Sequence, residues 1–121
     1  MAHPHFILFY VNSPAASVDF YRQIFSCDPI ESSESFALFA LNQGLMFGCW
    51  KCSGVEPQPG EQVGGSEIAI AVETKEEVSQ LHRKWLENKV SIIQAPCDMD
   101  FGHTFVAVDP DGHRIRVFKP H

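Results

Sequence analysis

The chain predicts an α+β protein built from two copies of a βαβββ unit. Three observations carry this. A strand, a helix cap and a helix occur in that order twice, about sixty residues apart. A strand-turn-strand run follows each helix. A stretch rich in Pro and Gly, from Ser53 to Gly65, lies between the copies. One domain is expected over residues 1–121, with unit 1 at about 4–52, a linker at 53–65 and unit 2 at about 66–120.

In unit 1, Phe6 to Val11 is a short apolar strand. Ser13 offers an N-cap with Pro14 at the first helical position. Val18, Tyr21 and Phe25 follow at helical spacing, and Asp28-Pro29 is the expected stop. Ile30 to Ser35 is a weak strand. Phe36 to Leu41 then turns through Asn42-Gln43-Gly44 into Leu45 to Trp50. In unit 2, Ile68 to Val72 is the first strand. Thr74 and Glu77 have capping-box spacing, and Val78, Leu81, His82, Trp85 and Leu86 form one helical stripe. Val90 to Ala95 is a weak strand, and Thr104 to Val108 leads into the last hairpin. Its turn, Asp109-Pro110-Asp111-Gly112, combines Asp side chains that bond local backbone, a Pro that presets φ and a Gly that accepts positive φ. His113 to Phe118 closes the unit.

Composition bounds the function. The 121 residues are 45% hydrophobic and 20% charged, as in an ordinary soluble globular chain. A net charge of −6 argues against nucleic acid, whose binders carry a basic face. No apolar run reaches spanning length, and no secretory leader is evident, so no membrane association and a cytoplasmic location are expected. Cys27, Cys49, Cys52 and Cys97 are then free thiols. Cys49 and Cys52 have C-x-x-C spacing, but at a strand end rather than a helix N-terminus, and no second pair supports zinc. Ser17, Ser26 and Ser53 lack the surroundings of a nucleophile. Gly64-Gly65 reads as linker, Asp109 and Asp111 as turn residues, and Glu76 and Glu77 as a helix start.

Ser13 to Tyr21, together with Met99-Asp100-Phe101-Gly102-His103-Thr104-Phe105 and the Asp-Pro-Asp-Gly turn, resembles the vicinal oxygen chelate superfamily. That superfamily holds glyoxalase I, extradiol dioxygenases, and fosfomycin and bleomycin resistance proteins. The resemblance runs from end to end and implies the glyoxalase/bleomycin resistance-like fold. In that fold each unit is expected to form a cupped mixed sheet, but the resemblance fixes chemistry poorly, because one fold hosts many functions. It also implies a homodimer whose pockets are shared between subunits.

Strand alternation then sorts the faces. Ile7, Phe9, Val11, Leu45, Phe47 and Cys49 should pack on the first helix, and Ile68, Ile70, Val72, Ile115 and Val117 on the second. The opposite face, concave in the resembling family, is expected to carry Phe6, Tyr10, Met46, Gly48 and Trp50 in unit 1. In unit 2 it carries Glu67, Arg114, Arg116 and Phe118, with Phe101 as a lid residue from a loop. Aromatics with a few placed polar groups suit a ligand pocket; aromatics at alternate positions also suit a plain core. Trp50 could stack on a flat ligand, Met46 could adapt to it, and Gly48 would leave space.

Metal-dependent members of the family take ligands from the first and last strand of each unit. Carried over, these positions are Phe6, Gly48, Glu67 and Arg116. Two lack a donor and one is a cation, so neither metal nor cofactor is expected. Glu67 and Arg116 should instead form an ion pair where the metal would lie. A shifted register through His5, His103 and His113 is the route by which a metal could return; His3 and His121 are terminal. The expectation is metal-independent binding of a small planar or apolar molecule, with drug resistance by sequestration. The alternative is a glyoxalase-like lyase or isomerase acting on a small-molecule or thiol adduct, with Glu67 as base and Arg116 as anion clamp. A third is an interaction module whose bowl is filled by Trp50 and Phe118.

Overall fold

Two four-stranded mixed sheets, each backed by one helix, account for both halves of the repeat. A computed structural model describes residues 4–60 and 63–121. His3 and the linker residues Glu61 and Gln62 lie outside them. The chain divides into two compact units, residues 1–61 and 62–121. No helix among the described residues is long and apolar enough to cross a membrane.

Unit 1 contains β1 (Phe6–Val11), α1 (Pro14–Phe25), β2 (Glu31–Ser32), β3 (Phe36–Ala40) and β4 (Met46–Lys51). The sheet order is β1-β4-β3-β2, with β1 parallel to β4 and the other pairs antiparallel. Ser13 caps α1 by accepting from Ala16 N at 3.2 Å. The helix ends at Ser26, before Asp28-Pro29, because Ser26 takes a left-handed conformation (φ 53°). Strand β2 is shorter than expected. Ser33 accepts at Oγ from Phe36 N and donates its own N–H to Phe36 O, which turns the chain after two residues. Tyr21, Phe39, Phe47 and Cys49 are fully buried between α1 and the sheet. Phe47 and Cys49 match the predicted inward phase of β4, and in β1 Val11 is buried while Phe6, Leu8 and Tyr10 are exposed. Of the linker, Cys52–Gly54 forms a 3-10 turn and Val55 is buried.

Unit 2 contains β5 (Glu67–Ala71), α2 (Lys75–Glu87), β6 (Ser91–Met99), β7 (Gly102–Val108) and β8 (Arg114–Pro120). The order is β5-β8-β7-β6, with β5 parallel to β8. Thr74 Oγ1 accepts from Glu77 N at 3.1 Å, as the capping-box spacing requires. Val78 and Trp85 are buried, and Trp85 and His82 pack edge-on against Phe105. Leu86 is half exposed, a correction to the expected stripe. It follows Trp85 directly, and one residue rotates a helix position well away from the face its predecessor covers.

The last turn forms as its residues dictate. Asp109 Oδ1 accepts from Asp111 N at 2.9 Å and from His113 N at 2.8 Å. Gly112 sits at φ 93° and donates to Asp109 O. This turn fixes the β7–β8 register, pairing Val108 with Arg114, Val106 with Arg116 and Thr104 with Phe118. Gly102 opens β7 where the strands approach closely. A Cβ there would lie 2.2 Å from Lys119 O, a backbone atom that cannot step aside. Gly102→Ala is therefore expected to destabilise the fold by about 1–3 kcal/mol, read as a lower urea midpoint.

Candidate functional site

Arg116 is the centre of the helix-free face of unit 2. It stands on β8 between Ala69 of β5 and Val106 of β7, its register partners. Its Nε donates to Glu67 Oε2 at 2.6 Å, the ion pair expected from the sequence. Register sets Glu67 beside Arg114, yet Arg116 takes the carboxylate. Ala69, directly beside Arg116, has only a methyl group, which leaves room for the guanidinium to swing toward Glu67.

Two further acceptors hold Arg116 Nη1: Thr104 Oγ1 at 3.1 Å and Gln94 Oε1 at 3.3 Å. Thr104 donates its own hydroxyl to Val117 O at 2.8 Å, so its lone pairs are left for Arg116. Gln94 Nε2 lies 3.6 Å from Met99 Sδ, which turns its carbonyl toward the guanidinium. The Arg116 side chain is 16% exposed and that of Glu67 32%.

Phe101, in the turn between β6 and β7, lies with its ring centroid 5.4 Å from the guanidinium carbon, a cation–π distance. It meets Phe118 edge-on at 6.1 Å. Glu67, Ala69, Phe101, Arg116 and Phe118 line a cavity of about 330 Å³. Arg114 is exposed and lies outside this lining, a correction to its expected place in the pocket.

The helix-free face of unit 1 is also aromatic. Tyr10 and Trp50 are register partners, and their rings meet edge-on at 6.3 Å. Phe6, Leu8 and Tyr10 are each about two-fifths exposed, and Met46 and Trp50 are half-buried. Gly48 does not open space, contrary to expectation. A Cβ there would lie 2.8 Å from Leu8 Cδ2 and 2.9 Å from Phe36 Cζ, so those side chains already fill the position. Leu8, Phe36, Gln94 and Thr104 were absent from the expected site. Strand alternation marks Leu8, and counting back from the Asp109–Gly112 turn marks Thr104. Nothing local marks Gln94, which sits between two register irregularities in β6.

The positions that supply metal ligands in metal-dependent relatives do not fit a divalent ion here. Phe6 and Gly48 carry no donor, and the Glu67 carboxylate is engaged by a guanidinium. Among the described residues no three His, Cys, Asp or Glu side chains group as a metal site. His103 does not serve a shifted register. It alternates with Thr104 onto the α2 side, where its Nδ1 donates to Asp98 Oδ1 at 2.8 Å. Lys75 Nζ of α2 lies 3.4 Å from the same oxygen. The His103 bond, then Lys75, holds the Asp98 carboxyl below the ordinary carboxylate range. A depressed folded value stabilises the fold above the unfolded pKa of about 3.9, and that gain is lost as pH falls through the folded value. Asp98→Asn is thus expected to lower stability modestly at neutral pH, converge with the parent chain in strong acid, and so flatten the acid limb of the stability–pH curve below pH ~4.

The model of the Glyoxalase/Bleomycin resistance protein/Dioxygenase superfamily matches residues 3–117. The chain belongs to this superfamily. Among relatives of this superfamily member, the phenazine antibiotic resistance protein EhpR of Enterobacter agglomerans is 37% identical over 117 residues, covering 94% of this chain and 89% of that one. The solution structure of protein ATC0852 from Agrobacterium tumefaciens is 41% identical with a TM-score of 0.90, over 100% of this chain and 99% of that one. A glyoxalase-related enzyme from Fulvimarina pelagi is 19% identical with a TM-score of 0.84, over 98% and 88%. At that identity it shows a shared fold alone.

Proposed function

We propose that this superfamily member binds a small planar aromatic molecule of the phenazine type without a metal, and protects the cell by sequestering it. The carrying observation is the Glu67–Arg116 pair lining a cavity together with Phe101 and Phe118. A guanidinium–carboxylate pair gives the cavity polarity without a Lewis acid, and two rings offer stacking surface. The cavity volume is at the lower end of ligand sites, roughly 300–1,000 Å³. The likeness to a phenazine resistance protein supports the ligand class.

The protein acts as a homodimer in the cytoplasm, with pockets shared between subunits. Four free cysteines suit a reducing compartment. The exposed rings of Phe6 and Tyr10 suit a face that is covered in the assembly. The lyase or isomerase alternative needs Glu67 as a base, and Arg116 already engages one oxygen of its carboxylate at 2.6 Å.

Calorimetric titration of the chelator-treated protein with phenazine tests the reading. Saturable 1:1 binding per chain is expected, weakened at least about tenfold by Phe101→Ala through lost stacking. Absence of saturable binding up to the solubility limit contradicts it. Sedimentation of the same samples should give a dimer; a monomer that binds with full affinity contradicts the shared pocket.

A further inference from the structure

We propose that Arg116 Nη2 selects ligands that carry an sp² oxygen acceptor, a carboxylate or a carboxamide, on the rim of the planar ring. The assignment rests on the planar-ligand reading above and narrows it.

A guanidinium has five N–H donors in a fixed fork. In Arg116 three are committed: Nε to Glu67, and Nη1 to Gln94 and Thr104. Nη2 has no partner among the described residues. Glu67 has a parallel surplus, since only Oε2 is engaged. The guanidinium is also held in orientation, by three bonds on its edge and the Phe101 ring at 5.4 Å. Arg116 lines a cavity, which puts its guanidinium within reach of a bound ligand. A donor already fixed in direction costs little further ordering when an acceptor meets it. A planar oxygen acceptor matches that fork best. Because Glu67 already balances the charge of Arg116, the acceptor need not be an anion. An unsubstituted aromatic hydrocarbon would cover Nη2 and strip its solvation without replacing it, which costs affinity.

The test compares phenazine, phenazine-2-carboxamide and phenazine-2-carboxylate by calorimetry on the chelator-treated full chain. At least one derivative is expected to bind about tenfold tighter than phenazine, the scale of one charge-assisted hydrogen bond. A carboxylate ahead of the carboxamide identifies an anion as the preferred source of the oxygen. Near-equal affinities identify a neutral acceptor as sufficient; either order supports the assignment. In Arg116→Met the advantage of the derivatives over phenazine should vanish. Thr104→Val, which removes one of the three groups that orient the guanidinium and keeps the side-chain shape, should reduce that advantage in a chain that still folds. Phenazine binding as tightly as both derivatives overturns the assignment while leaving the planar-ligand reading intact. Failure of all three to bind overturns that reading, and the assignment with it.

Discussion

Phe47→Ala is expected to destabilise the protein by about 3–5 kcal/mol, the range for deleting a fully buried aromatic side chain. Phe47 is the meeting point of the unit 1 core. Its ring lies 4.7 Å from Tyr21, 5.2 Å from Phe9, 5.3 Å from Phe25 and 6.4 Å from Phe39, centroid to centroid. Those partners come from α1, β1 and β3, so one deletion removes contacts that tie the helix to two strands. Neighbours this large and mutually packed cannot collapse into the gap, and the cavity term adds to the lost transfer term. Phe47→Leu, which keeps most of the volume, should cost clearly less. Urea unfolding followed by circular dichroism reads both. A loss below about 1 kcal/mol for the alanine variant would mean the aromatic cluster does not hold α1 on its sheet.

Glu67→Met is expected to destabilise by about 1–3 kcal/mol, below the cost of breaking a fully buried pair, because part of Glu67 is in contact with solvent. The loss comes less from the missing attraction than from the guanidinium left behind. Arg116 would keep Gln94 and Thr104 as acceptors but no counter-charge, at a site where its side chain is 16% exposed. Replacing both residues, Glu67→Met with Arg116→Met, should recover at least half of the loss, since two apolar chains next to Ala69, Phe101 and Phe118 leave no stranded charge. The pair would then be a functional feature rather than a stabilising one. A double variant as unstable as the sum of the two singles would show no coupling between them.

Most of the fold was legible because two periodicities and one turn agree. Ile68, Ile70, Ile115 and Val117 could face α2 only in the phase that puts Glu67 and Arg116 on the other side. A slip of one residue would have buried Arg116 under a helix. The ion pair followed from that phase and from the affinity of a guanidinium for a carboxylate. The details that failed depend on three-dimensional neighbours. Gly48 looked like open space, but what fills it is Leu8 and Phe36, from the two strands that flank β4. Arg114 shares a face with Arg116 yet lies beyond the cavity, because the carboxylate has one best partner and Ala69 admits the other arginine. Gln94 was hidden by the irregular register of β6, where a residue count no longer predicts a facing neighbour. Leu86 and the ends of α1 and β2 were boundary questions decided by single residues such as Ser26 and Ser33.

The central claim is a pocket that takes a planar aromatic ligand and no metal. It is tested most directly by thermal denaturation of the chelator-treated protein, with phenazine in one series and zinc, nickel, manganese and ferrous iron in another. A ligand that binds only the native state raises stability by RT ln(1 + [L]/Kd), so the size of the shift reports affinity. The account predicts a concentration-dependent rise in Tm with phenazine and none with any of the four metals. A rise with a metal that Glu67→Gln abolishes, with no response to phenazine, would contradict it.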